Sequence, residues 1–242
     1  MTIALSLRQV SKSFGAIRIA DGIDLDIREN EAVGILGPNG AGKTTILGLV
    51  TGTLSLDAGA IALHERDITA LRPEERCRLG LARAYQVPQP FGNMTVFENL
   101  MVAACFGAGQ GLAEAQHGCL QILDQCGLAD LANAPAGGLT LLNRKRLELS
   151  RALATRPKVL LLDEIAGGLT QHECDDLVAL IRRVHLSGVT IVWIEHVLHA
   201  LLSVVSRAVV LYQGTFIADG VPTEVIREPK VAEIYMGIET DA

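Results

Sequence analysis

The chain has 242 residues, with 21 lysines and arginines against 27 aspartates and glutamates, which gives a formal net charge of −6 at pH 7. Hydrophobic residues make up 49% and charged residues 20%, a composition typical of globular proteins and unlike that of disordered or fibrous chains. Because non-specific nucleic-acid binding needs a basic surface, the acidic balance predicts no nucleic-acid partner.

The first part of the chain predicts short strands, then a strand, a loop and a helix. Apolar residues alternate in residues 17–27, a pattern typical of a half-buried antiparallel strand. Residues 31–36 form an apolar run that leads into a glycine-rich loop, and residues 43–50 form an apolar helical stretch. We therefore predict a strand, a glycine loop and a helix in direct succession.

The rest of the chain predicts an α/β domain with a helical insertion. Residues 158–162 and 189–194 are near-continuous aliphatic runs, as in strands buried on both faces of a parallel sheet, and residues 174–184 between them have a helical pattern. The middle of the chain shows helical periods broken by glycines and no strand pattern. We predict one domain over residues 1–242, with a helical subdomain inserted at residues 88–155.

The sequence predicts neither a membrane span nor a signal peptide nor a disulfide framework. The longest apolar candidate, residues 197–212, is interrupted by His199 and Arg207, and a spanning helix needs roughly 20 apolar residues. Arg8 comes too early for the apolar core of a signal peptide. The cysteines are odd in number and form no CxxC pair, so we predict free, buried thiols in a reducing compartment.

The loop after the predicted strand matches the phosphate-loop pattern GxxxxGK[ST]. Backbone N–H groups of such a loop converge on phosphate oxygens, the following helix adds its positive dipole end, and glycines allow the close approach. Lys43 is predicted to reach the β- and γ-phosphates, and Thr44 is predicted to bind Mg²⁺. The nucleotide-binding residues of the loop are Gly37, Pro38, Asn39, Gly40, Ala41, Gly42, Lys43, Thr44 and Thr45.

Three further candidates follow the two predicted buried strands. Asp163 ends the first aliphatic run, where its carboxylate can bind the Mg²⁺ shell. Glu164 comes next and can polarise an attacking water. His196 follows the second run. Because parallel strands end at one edge of their sheet, we expect all three side chains at the same edge as the phosphate loop.

With these motifs the sequence resembles the ATP-binding subunits of ABC transporters over essentially its whole length. The resemblance implies an α/β fold of the P-loop NTPase type, with a RecA-like core, an antiparallel β subdomain and an inserted helical subdomain. It also implies an ATPase that uses ATP and Mg²⁺ and is coupled to transport.

The resemblance assigns roles to individual residues. Glu164 corresponds to the catalytic glutamate and His196 to the switch histidine. Gln86 corresponds to the glutamine that senses Mg²⁺ and the attacking water, so it joins Asp163 in the metal site. Phe14 corresponds to the aromatic residue that stacks on adenine, a role in which phenylalanine is acceptable.

The match is weakest at the family signature, usually LSGGQ. Thr140 keeps a hydroxyl and Asn143 keeps an amide, but Leu142 replaces the second glycine. In the family this segment closes over the γ-phosphate bound to the opposite subunit. We expect the Cβ of Leu142 to disfavour a left-handed backbone and to crowd that phosphate. Two further departures are Ile165 for the usual proline and Thr170 for the usual aspartate of the D-loop.

Within the family, several stretches resemble the importers of branched-chain amino acids, namely residues 94–100, 146–148, 218–220 and 235–237. This predicts the import of branched-chain amino acids or similar small polar solutes. The ATPase of lipopolysaccharide export shares a similar ending, so a lipid or lipopolysaccharide exporter remains an alternative. A non-transport ABC ATPase is a more distant one. A separate GTPase is disfavoured, because the guanine-reading [NT]KxD motif is absent from the sequence.

The resemblance also implies partners and a location. It predicts a second ABC ATPase subunit, in a hetero- or homodimer, together with transmembrane permease subunits and, indirectly, a solute-binding protein. The predicted location is the cytoplasmic face of the inner (plasma) membrane, as a peripheral subunit. Residues 87–100, with Phe91 and Met94, are the predicted contact surface for the permease.

Overall fold

A computed structural model describes residues 2–236, whose strands form two sheets. The strands are, in chain order, β1 (Ile3–Phe14), β2 (Ile17–Arg28), β3 (Ala32–Leu36), β4 (Ala58–Leu63), β5 (Arg66–Asp67), β6 (Leu81–Ala84), β7 (Val159–Asp163), β8 (Thr190–Ile194), β9 (Arg207–Tyr212) and β10 (Thr215–Gly220). Among the described residues, one sheet has four antiparallel strands in the order β2-β1-β4-β5. The other has six strands in the order β10-β9-β3-β8-β7-β6.

The six-stranded sheet is parallel except for β10, which pairs with β9 in the antiparallel sense. Every residue of β3, β7 and β8 is buried, because their continuous aliphatic sequences suit strands that are covered on both faces. Along β7, Leu160 and Leu162 belong to one hydrophobic core, and Val159 and Leu161 belong to a second. The predicted α/β P-loop fold is confirmed, and the parallel strands end at a common edge.

Helices flank this sheet on both faces. They are α1 (Lys43–Thr51), α2 (Pro73–Arg78), α3 (Val96–Val102), α4 (Leu112–Gln125), α5 (Leu141–Ala154), α6 (Gln171–Leu186), α7 (Leu198–Leu202), α8 (Pro222–Val225) and α9 (Pro229–Met236). Ile46 of α1 shares one core with the antiparallel sheet. Leu123 of α4, Leu147 of α5 and Leu177 of α6 contribute to the core on the opposite face. The parallel sheet is therefore buried between an antiparallel sheet with α1 and a helical layer.

The secondary structure of residues 96–154 is helical, with short loops between the helices. These residues contain α3, α4 and α5, together with a π-helical turn at Ala103–Gly107 and two short 3₁₀ turns. The described residues of this range include no strand, and Thr95 and Pro135 beside it form an isolated β-bridge. These helices lie within residues 88–155, and the assignment of that range as an inserted helical subdomain remains a prediction.

Several details differ from the sequence-based expectations. The first two strands are 12 residues each rather than short, and β4, β5 and β6 have no predicted counterpart. All five cysteines are free, but Cys77 and Cys105 are half-buried rather than buried. Gly237, at the end of one family-like stretch, lies outside the described residues. Among those that are described, no helix combines the length and apolarity needed to cross a bilayer.

Candidate nucleotide site

The predicted phosphate loop connects β3 to α1 at the carboxyl edge of the parallel sheet. Gly42 has a φ of 98°, and a Cβ there would lie 2.4 Å from Cγ2 of Ile19. A Cβ on Gly37 would lie 2.3 Å from the carbonyl oxygen of Leu211. Only glycine therefore fits either position. Because α1 begins at Lys43, the free N–H groups of its first turn face the loop, which suits an anion.

Lys43 is held over this loop. Its side chain is nearly buried, with 6% of the residue exposed, and its Nζ donates hydrogen bonds to the carbonyl oxygens of Gly37 at 2.7 Å and Pro38 at 3.0 Å. Burial lowers the pKa of the Lys43 ammonium, and the nearby carboxylates of Glu164 and Asp163 oppose that shift. A bound polyphosphate would add negative charge next to this ammonium and favour its protonated form.

Thr44 and Asp163 bring two oxygen ligands together from different elements. Oγ1 of Thr44, in the first turn of α1, donates a hydrogen bond to Oδ1 of Asp163 at 3.2 Å. Asp163 ends β7, is 3% exposed, and accepts a second hydrogen bond from Arg83 on its other carboxylate oxygen. A hydroxyl and a carboxylate that face a phosphate loop are the ligand types that Mg²⁺ takes alongside nucleotide phosphates. The residues present therefore fit the metal.

Glu164 is the meeting point of the predicted catalytic residues. Its φ of 45° lies in the left-handed region, which is uncommon for a residue other than glycine. Gln86 Nε2 donates a hydrogen bond to Glu164 Oε2 at 2.7 Å. His196 Nδ1 lies 3.8 Å from that same oxygen. Two residues that are distant from Glu164 in sequence, Gln86 and His196, thus lie next to its carboxylate.

Glu195 is a buried carboxylate that carries no motif of its own in the sequence. It is 1% exposed and accepts hydrogen bonds from the backbone N–H groups of Ala166 and His196, each at 3.0 Å. Its Oε1 also lies 3.3 Å from His196 Nδ1. Glu195 therefore fixes the loop after Glu164 to the loop that carries the switch histidine. In the sequence, this role is signalled only by the position of Glu195, an acid between a predicted buried strand and His196.

A shallow pocket of about 350 Å³ lies beside the phosphate loop on the side of the β1–β2 hairpin. Its walls include Ile17 and Ile19 of β2 and Tyr212 at the end of β9, none of which stands in a recognisable motif. Phe14 is not among its lining residues. That ring is 48% exposed, with Lys12 Nζ 5.5 Å from its centroid. Stacking of Phe14 on adenine remains a prediction.

The family-signature residues Thr140, Leu142 and Asn143 lie at the beginning of α5. Thr140 is the N-cap and accepts a hydrogen bond from the N–H of Asn143 at 3.4 Å. Leu142 is in the first helical turn, half-buried against the core, and is not among the described residues with positive φ. The expected penalty for a left-handed backbone therefore does not arise at Leu142. Crowding of a phosphate by its side chain is the part of that expectation that remains.

The two other departures from the family pattern have local structural roles. Thr170 is the N-cap of α6, where its Oγ1 and backbone N–H both donate to the Glu173 carboxylate, at 2.8 and 2.9 Å. This is a capping box, in which the reciprocal bonds satisfy donors at the start of a helix. Ile165 is 2% exposed and packs in the core next to the helical layer.

The sequence pattern of the family described as ABC transporter matches residues 20–167. The chain is 34% identical over 250 aligned residues to the high-affinity branched-chain amino acid transport ATP-binding protein LivG of Salmonella typhimurium, covering 96% of this chain and 97% of LivG. It is 35% identical over 248 residues to the corresponding protein BraF of Pseudomonas aeruginosa, with 96% and 97% covered.

Comparison with solved structures shows that the chain also has the fold of ATP-binding cassettes from ABC transporters. A nucleotide-free ATP-binding cassette from an ABC transporter superimposes with a TM-score of 0.89 at 31% sequence identity, covering 98% of this chain and 100% of the cassette. The ADP conformation of an ATP-binding cassette gives the same TM-score, identity and coverage.

Proposed function

The chain belongs to the ABC transporter family as an ATP-hydrolysing subunit coupled to transport, and from that premise we propose that it energises the import of branched-chain amino acids or similar small polar solutes. The observation that carries this proposal is the extent of the similarity. The branched-chain amino acid proteins LivG and BraF match over 96% of this chain and 97% of their own length. A match confined to the phosphate loop would have left the solute class open.

In the proposed reaction, the chain's own residues position ATP and the attacking water. The loop amides and Lys43 bind the phosphates, Gln86 and Glu164 orient the water, and Glu164 accepts its proton. His196 contacts the γ-phosphate. When Mg²⁺ is bound at Thr44 and Asp163, it neutralises charge on the phosphate oxygens. The hydrogen bond from Gln86 to Glu164 and the 3.8 Å approach of His196 support this division of roles.

We propose that a second ATPase subunit completes each nucleotide site. In this arrangement Thr140, Leu142 and Asn143 meet the γ-phosphate held by the partner, so they act in trans. The contact of Thr140 supports this, because among the described residues its hydroxyl bonds to the first turn of its own helix, where it accepts from the N–H of Asn143. ATP would then draw the two subunits together, and hydrolysis would release them.

We also propose that residues 88–155 form a helical subdomain that, together with the loop after β6, receives a transmembrane permease. A groove next to this loop is lined by Tyr85 and Val87, which are 43% and 63% exposed. Phe91 is 46% exposed, and Met94 nearby is half-buried. Aromatic residues and methionine are enriched in protein interfaces. Peripheral association with the cytoplasmic face of the membrane follows from this docking.

The test is transport by a reconstituted complex. The chain is purified together with its permease subunits, a second ATPase subunit if one is required, and the solute-binding protein, and the complex is placed in proteoliposomes. We expect ATP-dependent uptake of labelled leucine, isoleucine and valine, and none when Lys43→Ala replaces the wild-type chain. ATP hydrolysis coupled to the export of a lipid, without amino-acid uptake, would contradict the proposal.

A further inference from the structure

Arg83 is a buried cation on β6, which is an edge strand of the six-stranded sheet. Its side chain is 8% exposed and that of Asp163 is 4% exposed. Nη2 of Arg83 donates a hydrogen bond to Oδ2 of Asp163, so the pair joins the neighbouring strands β6 and β7. Nε of Arg83 has no hydrogen-bond partner among the described residues. Buried ion pairs seldom stabilise a fold more than apolar side chains would, so stability alone does not explain this one.

The two oxygens of the Asp163 carboxylate have separate partners. Oδ1 accepts the hydrogen bond from Thr44 at 3.2 Å, and Oδ2 accepts the one from Arg83. The plane of the carboxylate is therefore set from both sides. Oδ1 faces the phosphate loop, and the guanidinium prevents the group from rotating away. Side chains that hold a metal-binding carboxylate in this manner tune the affinity for the metal without touching it.

Arg83 also reaches the surface of the molecule through an aromatic side chain. Its guanidinium carbon lies 4.6 Å from the centroid of the Tyr85 ring, within the range of a cation–π contact. Tyr85 lines two adjoining hollows of about 320 and 450 Å³. Arg83 lines the first hollow and Asp163 lines the second. The guanidinium thus contacts both the Tyr85 ring at the groove wall and the Asp163 carboxylate of the nucleotide site.

We propose that Arg83 is a positioning residue that holds the Asp163 carboxylate for the Mg²⁺ of the nucleotide and connects it to the groove wall at Tyr85. The inference rests on the proposed metal site at Thr44 and Asp163. It assigns no bond between Arg83 and ATP or the metal. Arg83 acts by fixing the carboxylate, and Tyr85 acts by fixing Arg83.

The direction in which Mg²⁺ affinity changes when Arg83 is removed distinguishes a positioning role from simple charge repulsion. Removing a cation next to a metal ligand reduces the repulsion that Mg²⁺ experiences, which by itself tightens metal binding. Removing the group that orients the ligand weakens metal binding, typically by about 10–100-fold for partners of this kind. Positioning therefore predicts weaker Mg²⁺ binding, and repulsion predicts tighter binding.

The experiment measures Mg²⁺ dependence by nucleotide binding rather than by hydrolysis. Binding of a fluorescent ATP analogue to the purified full chain is titrated first in the presence of a chelator and then with increasing Mg²⁺. For Arg83→Gln we expect the half-saturating Mg²⁺ concentration to rise about 10–100-fold, with unchanged affinity in the chelator. Arg83→Lys keeps the charge but loses the planar guanidinium with its paired donors, so the half-saturating Mg²⁺ concentration should rise by an intermediate factor. Tyr85→Leu should give a smaller rise in the same direction.

Arg151 provides a matched control from the same groove. It makes the same two kinds of contact, an ion pair with Glu148 at 3.0 Å and a guanidinium carbon 5.2 Å from the Phe91 ring centroid. Neither partner is a proposed metal ligand. Arg151→Gln should therefore leave the half-saturating Mg²⁺ concentration unchanged.

Each remaining outcome is decisive. Unchanged or tighter Mg²⁺ binding in Arg83→Gln, or an equal loss of affinity in the chelator, would overturn the positioning role. If Arg83→Gln does not fold, Tyr85→Leu decides, and unchanged Mg²⁺ dependence there overturns the inference. If the wild-type chain itself shows no response to Mg²⁺, the proposed metal site fails and the inference fails with it. A response in the wild type that Arg83→Gln leaves intact refutes the role of Arg83 alone.

Discussion

The phosphate-loop edge of the parallel sheet and the first turn of α5 differ in how completely their side chains are partnered. At the edge, Lys43 donates to two loop carbonyls, and Gln86 donates to Glu164. At α5, the Thr140 hydroxyl makes a long bond of 3.4 Å to its own helix, and Leu141 is 44% exposed. The first region is organised within one chain, while the second presents its polar groups outward.

This difference indicates what each region does. A site that must hold a polyphosphate and a metal in fixed positions benefits from side chains that are already oriented before the ligand binds. A surface that acts on a nucleotide in another subunit acquires its partners only on assembly. Among the departures from the family pattern, Leu142 and Thr170 lie outside the phosphate-loop edge, and Ile165, which follows Glu164, is buried in the core. Substitutions in the two regions should therefore differ in kind.

The largest effect is expected for Lys43→Ala. Removing the buried ammonium should lower the ATPase rate by roughly 100-fold or more, because a preorganised charge at the phosphates is lost. The measurement is steady-state phosphate release by the purified chain, with circular dichroism to verify folding. Lys158→Ala is the matched control, since that lysine is exposed at the opposite end of β7 and should leave the rate unchanged. A Lys43→Ala variant with the wild-type rate would remove the loop from the reaction.

Glu164→Gln should separate binding from hydrolysis. The amide keeps the size of the side chain and an oxygen that accepts the Gln86 hydrogen bond, so ATP affinity should be retained. Hydrolysis should fall by about 100-fold or more, because an amide cannot accept the proton of the water. Nucleotide binding and phosphate release are measured on the same preparation. Unchanged turnover would exclude Glu164 as the general base.

Much of the phosphate-loop edge could be predicted from the sequence, because its signals are local. The strands β3, β7 and β8 are apolar at nearly every position, and the glycine loop has a fixed spacing between a strand and a helix. Asp163 and Glu164 follow directly from where β7 ends. Each of these inferences needs only a few consecutive residues.

The remaining features depend on contacts between distant segments. Strand β6 has four residues, and Arg83 interrupts its apolar pattern because its side chain pairs with Asp163, 80 positions away. Tyr212 reaches the hairpin pocket from the far end of the chain. The capping box of Thr170 and Glu173 is a counter-example. Its T-x-x-E spacing is visible in the sequence, although comparison with the family made Thr170 look only like a missing aspartate.

Leu142→Gly tests the α5 side of the comparison. If the leucine side chain crowds a phosphate in trans, removing it should raise the ATPase rate of the homodimer several-fold, and Leu142→Ala should give an intermediate rate. Glycine in a helix costs about 1 kcal/mol relative to alanine, so thermal unfolding is measured in parallel. No change in rate for either variant would indicate that the signature is competent with leucine.

The smallest effect distinguishes the two threonine N-caps, Thr140 and Thr170. Thr170→Ala loses both bonds of the hydroxyl, the one it accepts from the Glu173 N–H and the one it donates to the Glu173 carboxylate, which should cost about 1 kcal/mol and lower the melting temperature by about 2–4 °C. Thr140→Ala loses only a 3.4 Å bond, so its melting temperature should fall less.

The ATPase rates of the same two variants should show the reverse order. If the Thr140 hydroxyl serves the partner's nucleotide, Thr140→Ala slows hydrolysis by the homodimer while barely changing stability, because its donor is used in trans. Thr170→Ala destabilises the chain and leaves hydrolysis by the folded protein unchanged, because its hydroxyl is already committed to Glu173 at 2.8 Å. Parallel losses of rate and stability in both variants would mean that the first turn of α5 is an ordinary helix start, and the contrast between the two regions would disappear.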